Sequence, residues 1–87
     1  FIRQWAESVL TALRETRIEK CWAGLRPGSF DGLPYLGAVP GSDSIFVAAG
    51  HFRSGLQLAS ATATVMANVI LGQPNAIDLY PLRVGRG

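Results

Sequence analysis

The amino-acid sequence predicts an α/β chain, in an α+β arrangement, with two main helices and three short strands. Apolar residues recur at helical spacing near the start, which predicts a helix over about residues 2–15. A second helix is expected over about residues 55–71, where no charged side chain occurs. Between the helices, short apolar runs bounded by glycine and proline predict strands at about residues 18–26, 35–39 and 45–49.

Size and composition limit the class of protein. The chain has 87 residues, 48% of them apolar and 16% charged, which excludes a disordered tail and allows at most one small domain. Cys21 is the only cysteine, so we expect neither a disulfide framework nor a zinc module. A lone thiol fits a reducing compartment, and we therefore expect a cytoplasmic protein. The net charge is only +2 and the arginines are scattered, so nucleic-acid binding is not expected.

The first predicted helix has a single apolar stripe and a polar face. The stripe is formed by Ile2, Trp5, Ala6, Val9, Leu10 and Leu13. Arg3 and Glu7 are one helical turn apart and can pair on the solvent-facing side. We interpret this helix as a packing element.

The strand predicted over residues 18–26 ends in an arginine with an unusual setting. Arg26 lies between Leu25 and Pro27, and Pro27 removes a backbone donor and ends the strand. The planar guanidinium matches a carboxylate or a phosphate, which favours anion binding. The alternative is an arginine that reaches solvent or pairs with a structural acid.

A strand–loop–helix unit forms the second candidate for a site. The run at residues 45–49 is typical of a strand buried on both faces in a parallel sheet. The loop that follows contains two glycines and Arg53, and the free N–H groups of the next helix suit an anion or an electron-rich ring. His51 is a base, a ligand or a spacer, and a lone histidine is more often structural. The glycine spacing does not form GxGxxG, so this pattern alone is a weak indication.

The second helix is apolar in almost every direction around its axis, which is typical of a helix that is buried or spans a membrane. It is shorter than the roughly 20 residues that a bilayer requires, and polar residues interrupt it, so no membrane span is expected. We therefore expect this helix to be enclosed by polypeptide beyond this chain, either the rest of a longer chain or an oligomer partner.

Two segments resemble the C-terminal part of the glycine/D-amino acid oxidase family of FAD-dependent enzymes. They are WAGLRPGSFDGLPYLGAVPG, which starts at Trp22, and IFVAAGHFRSGLQLASATATVMANVILG, which starts at Ile45. The likeness is strongest to the glycine oxidase branch of that family, which serves thiamine biosynthesis. The resemblance implies a C-terminal fragment of a larger two-domain flavoprotein. Residues 1–40 would then belong to the substrate domain, and residues 41–87 would supply the last strand and helix of the FAD domain.

The resemblance also implies roles for individual residues. Arg26 and Arg53 would bind the substrate carboxylate. The residues that would contact FAD are His51, Phe52, Arg53, Ser54, Gly55, Leu56 and Gln57. Ser54 and Gln57 differ from the residues that are usual in the family at these places. No side chain is expected to act as a catalytic group, and no metal is implied.

The implied reaction is the oxidation of glycine or another small amino acid, by hydride transfer from Cα to flavin N5. The imine then hydrolyses and oxygen yields hydrogen peroxide. The implied partners are the amino acid, the remainder of a parent chain and a second copy in a homo-oligomer. Because these residues lack the GxGxxG fingerprint, the isolated chain is expected to be inactive. Two alternatives remain open: a piece of a sarcosine oxidase or D-amino acid dehydrogenase, and a small self-associating α/β interaction module.

Overall fold

The computed structural model describes all residues from 1 to 87 and confirms the α+β arrangement of two helices and a small sheet. The first helix, α1, spans Ile2–Val9, and the second, α2, spans Gly55–Ile70. Strands β1 (Tyr35–Ala38) and β2 (Phe46–Ala49) form one two-stranded sheet. Two short 3₁₀ turns complete the regular structure, at Thr11–Glu15 and Tyr80–Leu82. None of the helices has the length and apolar composition needed to cross a membrane.

The helix predicted over residues 2–15 is divided into two pieces. Leu10 has extended backbone angles, φ −125° and ψ 93°, which end α1 before the 3₁₀ turn begins. Arg3 pairs with Glu7 as predicted, and its Nη2 also donates to the carbonyl of Thr16 at 3.2 Å. This arginine therefore holds the 3₁₀ turn folded back against α1.

The strand predicted over residues 18–26 is absent, since residues 16–29 contain no helix or strand. A strand needs a neighbour to accept and donate its backbone hydrogen bonds. The only two strands in the chain, β1 and β2, pair with each other, and no backbone hydrogen bond joins this segment to the free edge of either strand. Trp22 is 79% exposed as a result.

The sheet is antiparallel, which corrects the expectation that residues 45–49 belong to a parallel sheet. Tyr35 lies opposite Ala49, and Ala38 lies opposite Phe46. The connection between the strands is too short for a parallel crossover, and the N–H of Val39 donates to the carbonyl of Ile45 at 2.9 Å to close it. The strand is also not buried on both faces, because Phe46 and Val47 are only half-buried. The hairpin spans residue 40, so the predicted halves share one sheet, and their assignment to two domains stays a prediction.

Helix α2 begins and ends as the sequence predicts. Gly72 has φ +67°, its N–H donates to Val69, and the N–H of Gln73 donates to Asn68 at 2.8 Å. This is a Schellman motif, in which a glycine adopts the left-handed backbone that ends a helix.

The chain covers little of its own apolar surface. Leu36 and Met66 are the only buried hydrophobic side chains, at 5% and 9% exposure, where α2 packs on the hairpin. The opposite side of α2 is open, and Leu56 is 93% exposed. The radius of gyration is 18.3 Å, whereas a compact domain of this length has a value of about 12 Å. The chain is therefore extended, with one side of its apolar helix uncovered.

The segment after α2 is held against the rest of the chain. Asn68 donates to the side chain of Asn75 at 3.1 Å, which fixes its start beside the helix. Near its end, Gly85 lies so close to the ring of Pro40 that an added Cβ would come within 2.9 Å of Cγ. Residues 75–87, called the tail below, therefore run back across the hairpin.

Candidate functional site

The two segments that carry the candidate arginines lie side by side. The N–H of Phe52 donates to the carbonyl of Pro27 at 3.0 Å. The ring of Phe52 also lies against Gly28, where an added Cβ would be 3.8 Å from Cδ2. Arg26 is the residue before Pro27 in the chain, and Arg53 is the residue after Phe52. The fold therefore brings both predicted carboxylate-binding residues to one region.

The loop between β2 and α2 has an unusual backbone. Gly50 is buried with φ +79°, and an added Cβ would meet Tyr35 Cδ2 at 3.4 Å and Ser29 Cβ at 3.6 Å. Phe52 is the only non-glycine residue with positive φ, at 50°. Such a conformation costs on the order of 1–3 kcal/mol and occurs preferentially at ligand sites. The hydrogen bond to Pro27 is one contact that holds it in place.

His51 turns its side chain towards α2. Its Nε2 lies 2.9 Å from Oγ1 of Thr62 in a half-buried position, and its carbonyl accepts the N–H of Ser54 at 2.9 Å. The imidazole therefore fastens the loop to the helix, which is the structural role expected of a lone histidine. A contact between His51 and FAD stays a prediction. Because the imidazole is engaged with Thr62, such a contact would be made by the backbone of His51.

The start of α2 presents unpaired backbone donors. The first hydrogen bond into the helix runs from the N–H of Leu58 to the carbonyl of Ser54 at 2.9 Å. The N–H groups of Gly55, Leu56 and Gln57 have no acceptor, and the Ser54 side chain does not cap them. The first turn also contains no acidic residue. These donors and the helix dipole make the region suitable for a negatively charged or electron-rich group.

Arg26 and Arg53 are both free of acidic partners. The chain contains two ion pairs, Arg3 with Glu7 and Arg86 with Asp31, and neither candidate arginine donates a hydrogen bond. Both side chains are exposed, and the Arg53 guanidinium lies over the ring of Phe52 at 5.4 Å. The alternative that Arg26 pairs with a structural acid is therefore not realised within this chain, and both guanidinium groups are available to an external carboxylate.

Sequence reasoning missed a third arginine, Arg86, which contacts the turn behind this region. Its Nε and Nη2 bind the two carboxylate oxygens of Asp31 at 2.7 and 2.9 Å. The hydrogen bond from Arg86 is the main cause that holds the pKa of Asp31 far below its ordinary range. The two residues are 55 positions apart, and no periodic pattern or motif connects them.

Comparison with known proteins assigns the class. The family model for FAD dependent oxidoreductases matches residues 1–69, and the chain belongs to this family. It is 52% identical over 69 residues to a glycine oxidase of Bacillus licheniformis, which covers 79% of this chain and 19% of the relative. It is 40% identical over 82 residues to a glycine oxidase of Bacillus subtilis (strain 168), with 93% of this chain and 22% of the relative covered.

A solved structure gives the same result. The crystal structure of glycine oxidase from Geobacillus kaustophilus matches with a TM-score of 0.73 and 34% sequence identity, over 97% of this chain and 23% of that chain. The chain thus spans about a fifth of the length of the curated relatives that it matches.

The residues present fit one part of the family's FAD cofactor. Three unpaired amide groups at an uncapped helix start, with no carboxylate nearby in the first turn, are suited to the electron-rich atoms of a flavin ring. The glycine-rich turn that holds a pyrophosphate does not occur in residues 1–87. This segment can therefore contact the ring, while the phosphate groups need other polypeptide. The individual contacts of residues 51–57 with FAD, and those of Arg26 and Arg53 with substrate, stay predictions.

Proposed function

We propose that this chain is the substrate- and flavin-contacting segment of a longer FAD-dependent oxidase that deaminates glycine or another small amino acid. The amino acid, oxygen and water would yield a 2-oxo acid, ammonia and hydrogen peroxide. The observation that carries the proposal is the hydrogen bond between Phe52 and Pro27, because it joins both arginine-bearing segments beside the open start of α2. FAD, when bound, supplies the hydride acceptor.

Arg26 and Arg53 bind the substrate through its carboxylate. Each offers a planar set of N–H donors that no other side chain of the chain occupies. Two charge-assisted contacts on one carboxylate fix the orientation of the amino acid as well as its position. Such orientation is a large part of what an enzyme contributes when the cofactor performs the chemistry.

The start of α2 stabilises negative charge. The partial positive charge at a helix N-terminus is about half an elementary charge, and here neither an acidic residue nor a side-chain cap neutralises it. The N–H groups of Gly55, Leu56 and Gln57 are fixed by the helix and need no rearrangement when charge develops nearby. Backbone donors of this kind act independently of side-chain identity, so the unusual Ser54 and Gln57 are compatible with the role.

The open side of α2 is covered, in this proposal, by the remainder of the parent chain. A helix without charged residues is stabilised mainly by burial of its apolar side chains, and this chain buries only one side of α2. We also propose a homo-oligomeric parent in the cytoplasm, for which the free thiol of Cys21 is the supporting observation on location. Mass measurement of the parent and cell fractionation test these two points.

The decisive experiment is to read the coding sequence on both sides of this segment and to purify the complete product. We expect GxGxxG upstream, close to one FAD per chain, and hydrogen peroxide on addition of an amino acid. A panel of glycine, sarcosine and D-alanine identifies the substrate and separates a glycine oxidase from the alternative flavoenzymes. A flavin-free product that forms stable oligomers of the intact 87-residue chain would overturn the proposal in favour of an interaction module.

A further inference from the structure

We propose, on the basis of the proposed function, that Arg86 is a positioning residue for the substrate site. Its side chain is 6% exposed, unlike the open Arg26 and Arg53. Its side chain contacts the supports of both arginine-bearing segments. These supports are the Asp31 turn, which follows Arg26, and the ring of Tyr35, which lies beneath the loop of Arg53.

The first support is the turn of residues 29–33. Arg86 Nη2 donates to the carbonyl of Leu33 at 2.6 Å in addition to its contacts with the Asp31 carboxylate. Asp31 in turn accepts the hydroxyl of Ser29 at 3.2 Å and the N–H of Leu33 at 3.1 Å. Ser29 is only three positions after Arg26, so the network fixes the exit of the segment that carries the first candidate arginine.

The second support is the aromatic ring of Tyr35. The Arg86 guanidinium stacks on this ring at 3.9 Å from its centroid. Tyr35 Cδ2 lies 3.4 Å from the point that a Cβ on Gly50 would occupy, so the ring lies directly against the first residue of the loop. Ser29 Cβ approaches the same point at 3.6 Å. Gly50 is thus enclosed by both supports, and it begins the turn that places Arg53.

Most of the donors of Arg86 are already used within the protein. A guanidinium has five N–H donors, and four hydrogen bonds are formed, to the two Asp31 oxygens and to the carbonyls of Leu33 and Arg83. The use of four of its five donors distinguishes Arg86 from the two arginines that remain free for a ligand. Arg86 therefore acts on the substrate through the segments that it holds and not by direct contact.

The test is Arg86→Lys in the full-length flavoenzyme. Lysine keeps the charge but lacks the planar fork, so it cannot hold both Asp31 oxygens and the Leu33 carbonyl together. We expect the KM for the amino acid to rise about tenfold or more, because a displaced arginine weakens its charge-assisted contact with the carboxylate, and loss of such a contact has an effect of this size. The kcat should stay within about twofold and the FAD content should be unchanged, because the lost interaction acts on substrate binding.

Arg83→Ala is the matched control. Arg83 lies in the same tail, stacks on Tyr80 at 3.9 Å and donates to the Tyr80 carbonyl, but its side chain does not contact the Asp31 turn. Its removal should leave KM unchanged. Asp31→Asn supplies a second, milder variant in case Arg86→Lys does not fold, and it should also raise KM.

The double variant with both changes should show no further rise in KM, since Arg86 and Asp31 act as one unit. An active enzyme in which Arg86→Lys and Asp31→Asn leave KM at the wild-type value would overturn the role of Arg86 alone. A wild-type product that holds no flavin and oxidises no amino acid would instead overturn the proposed function, and the role of Arg86 with it.

Discussion

The backbone N–H of Phe52 donates to the carbonyl of Pro27 at 3.0 Å, across the gap between two segments that are distant in the sequence. Phe52 forms this bond while its own backbone is in the left-handed region, at φ 50°. The two residues that it joins are the chain neighbours of Arg26 and Arg53, so the bond brings the two arginine-bearing segments together.

Replacement of Arg26 by alanine in the full-length enzyme should raise the KM for the amino acid and leave FAD content unchanged. A charge-assisted contact to a carboxylate contributes on the order of 1.5–3 kcal/mol, which corresponds to a KM increase of roughly tenfold to a hundredfold. Steady-state kinetics and the flavin-to-protein absorbance ratio measure the two quantities. Arg14→Ala is the control, because Arg14 lies in the first 3₁₀ turn, away from the site. An unaltered KM for Arg26→Ala would remove this residue from the substrate site.

Gly50→Ala should destabilise the full-length protein by about 1–2 kcal/mol, because a Cβ is strained at positive φ. The position is also enclosed, with Tyr35 Cδ2 at 3.4 Å from the new atom. Urea unfolding of the two proteins measures the difference in the free energy of unfolding. Gly24→Ala serves as the control, since its φ is not positive and no atom of the chain lies within 4 Å of the added Cβ. Equal stability of Gly50→Ala and wild type would contradict the loop geometry.

The ion pair of Asp31 and Arg86 should contribute stability that depends on pH. The pKa of Asp31 is lowered in the folded protein from its ordinary value of 3.8, mainly by the hydrogen bond from Arg86. The contribution is therefore present above that value and is lost as the pH falls below it towards the lower folded pKa. The difference in Tm between wild type and Asp31→Asn should shrink as the pH is lowered from about 6 towards 3. A difference that stays constant over this range would show that the charge of Asp31 does not stabilise the fold.

Ala63→Asp should prevent folding of the full-length protein. Ala63 lies on the open side of α2 in this chain, and the proposed parent covers that side. A buried carboxylate without a partner costs several kcal/mol or more, which exceeds what a marginally stable domain tolerates. Ala63→Ser is the matched control, because it adds a small polar group without charge. Soluble yield and Tm measure the effect, and a wild-type Tm for Ala63→Asp would show that the helix face stays in water.

The sequence was most informative where local chemistry determines structure. The bounds of α2 lie within a residue of the uncharged run at 55–71, and the antiparallel strands lie within a residue or two of the runs at 35–39 and 45–49. The direction of strand pairing was predicted wrongly, because the run of apolar residues in β2 is the same whether its neighbour is parallel or antiparallel. The prediction of a strand at residues 18–26 was wrong for a related reason, since strand formation depends on a pairing partner as well as on the segment itself.

The candidate site divides in a similar way. Arg26 stands out because it follows apolar residues at the end of a predicted strand, whereas the role of Arg53 is implied by the family resemblance, and the fold brings their segments together. Arg86 could not be found, because its role depends on Asp31, 55 positions earlier in the chain. Its surroundings in the sequence are those of an ordinary surface arginine. A contact between a tail and a turn emerges only from the three-dimensional path of the chain.

The hairpin of β1 and β2 also limits how the site can move. Its short connection and its continuous pairing, from Tyr35–Ala49 to Ala38–Phe46, hold β1 and β2 together as one unit. Together with the hydrogen bond from Phe52 to Pro27, the hairpin restrains the segments that carry Arg26 and Arg53 relative to each other. A displacement of one of these segments is therefore passed on to the other through this backbone contact.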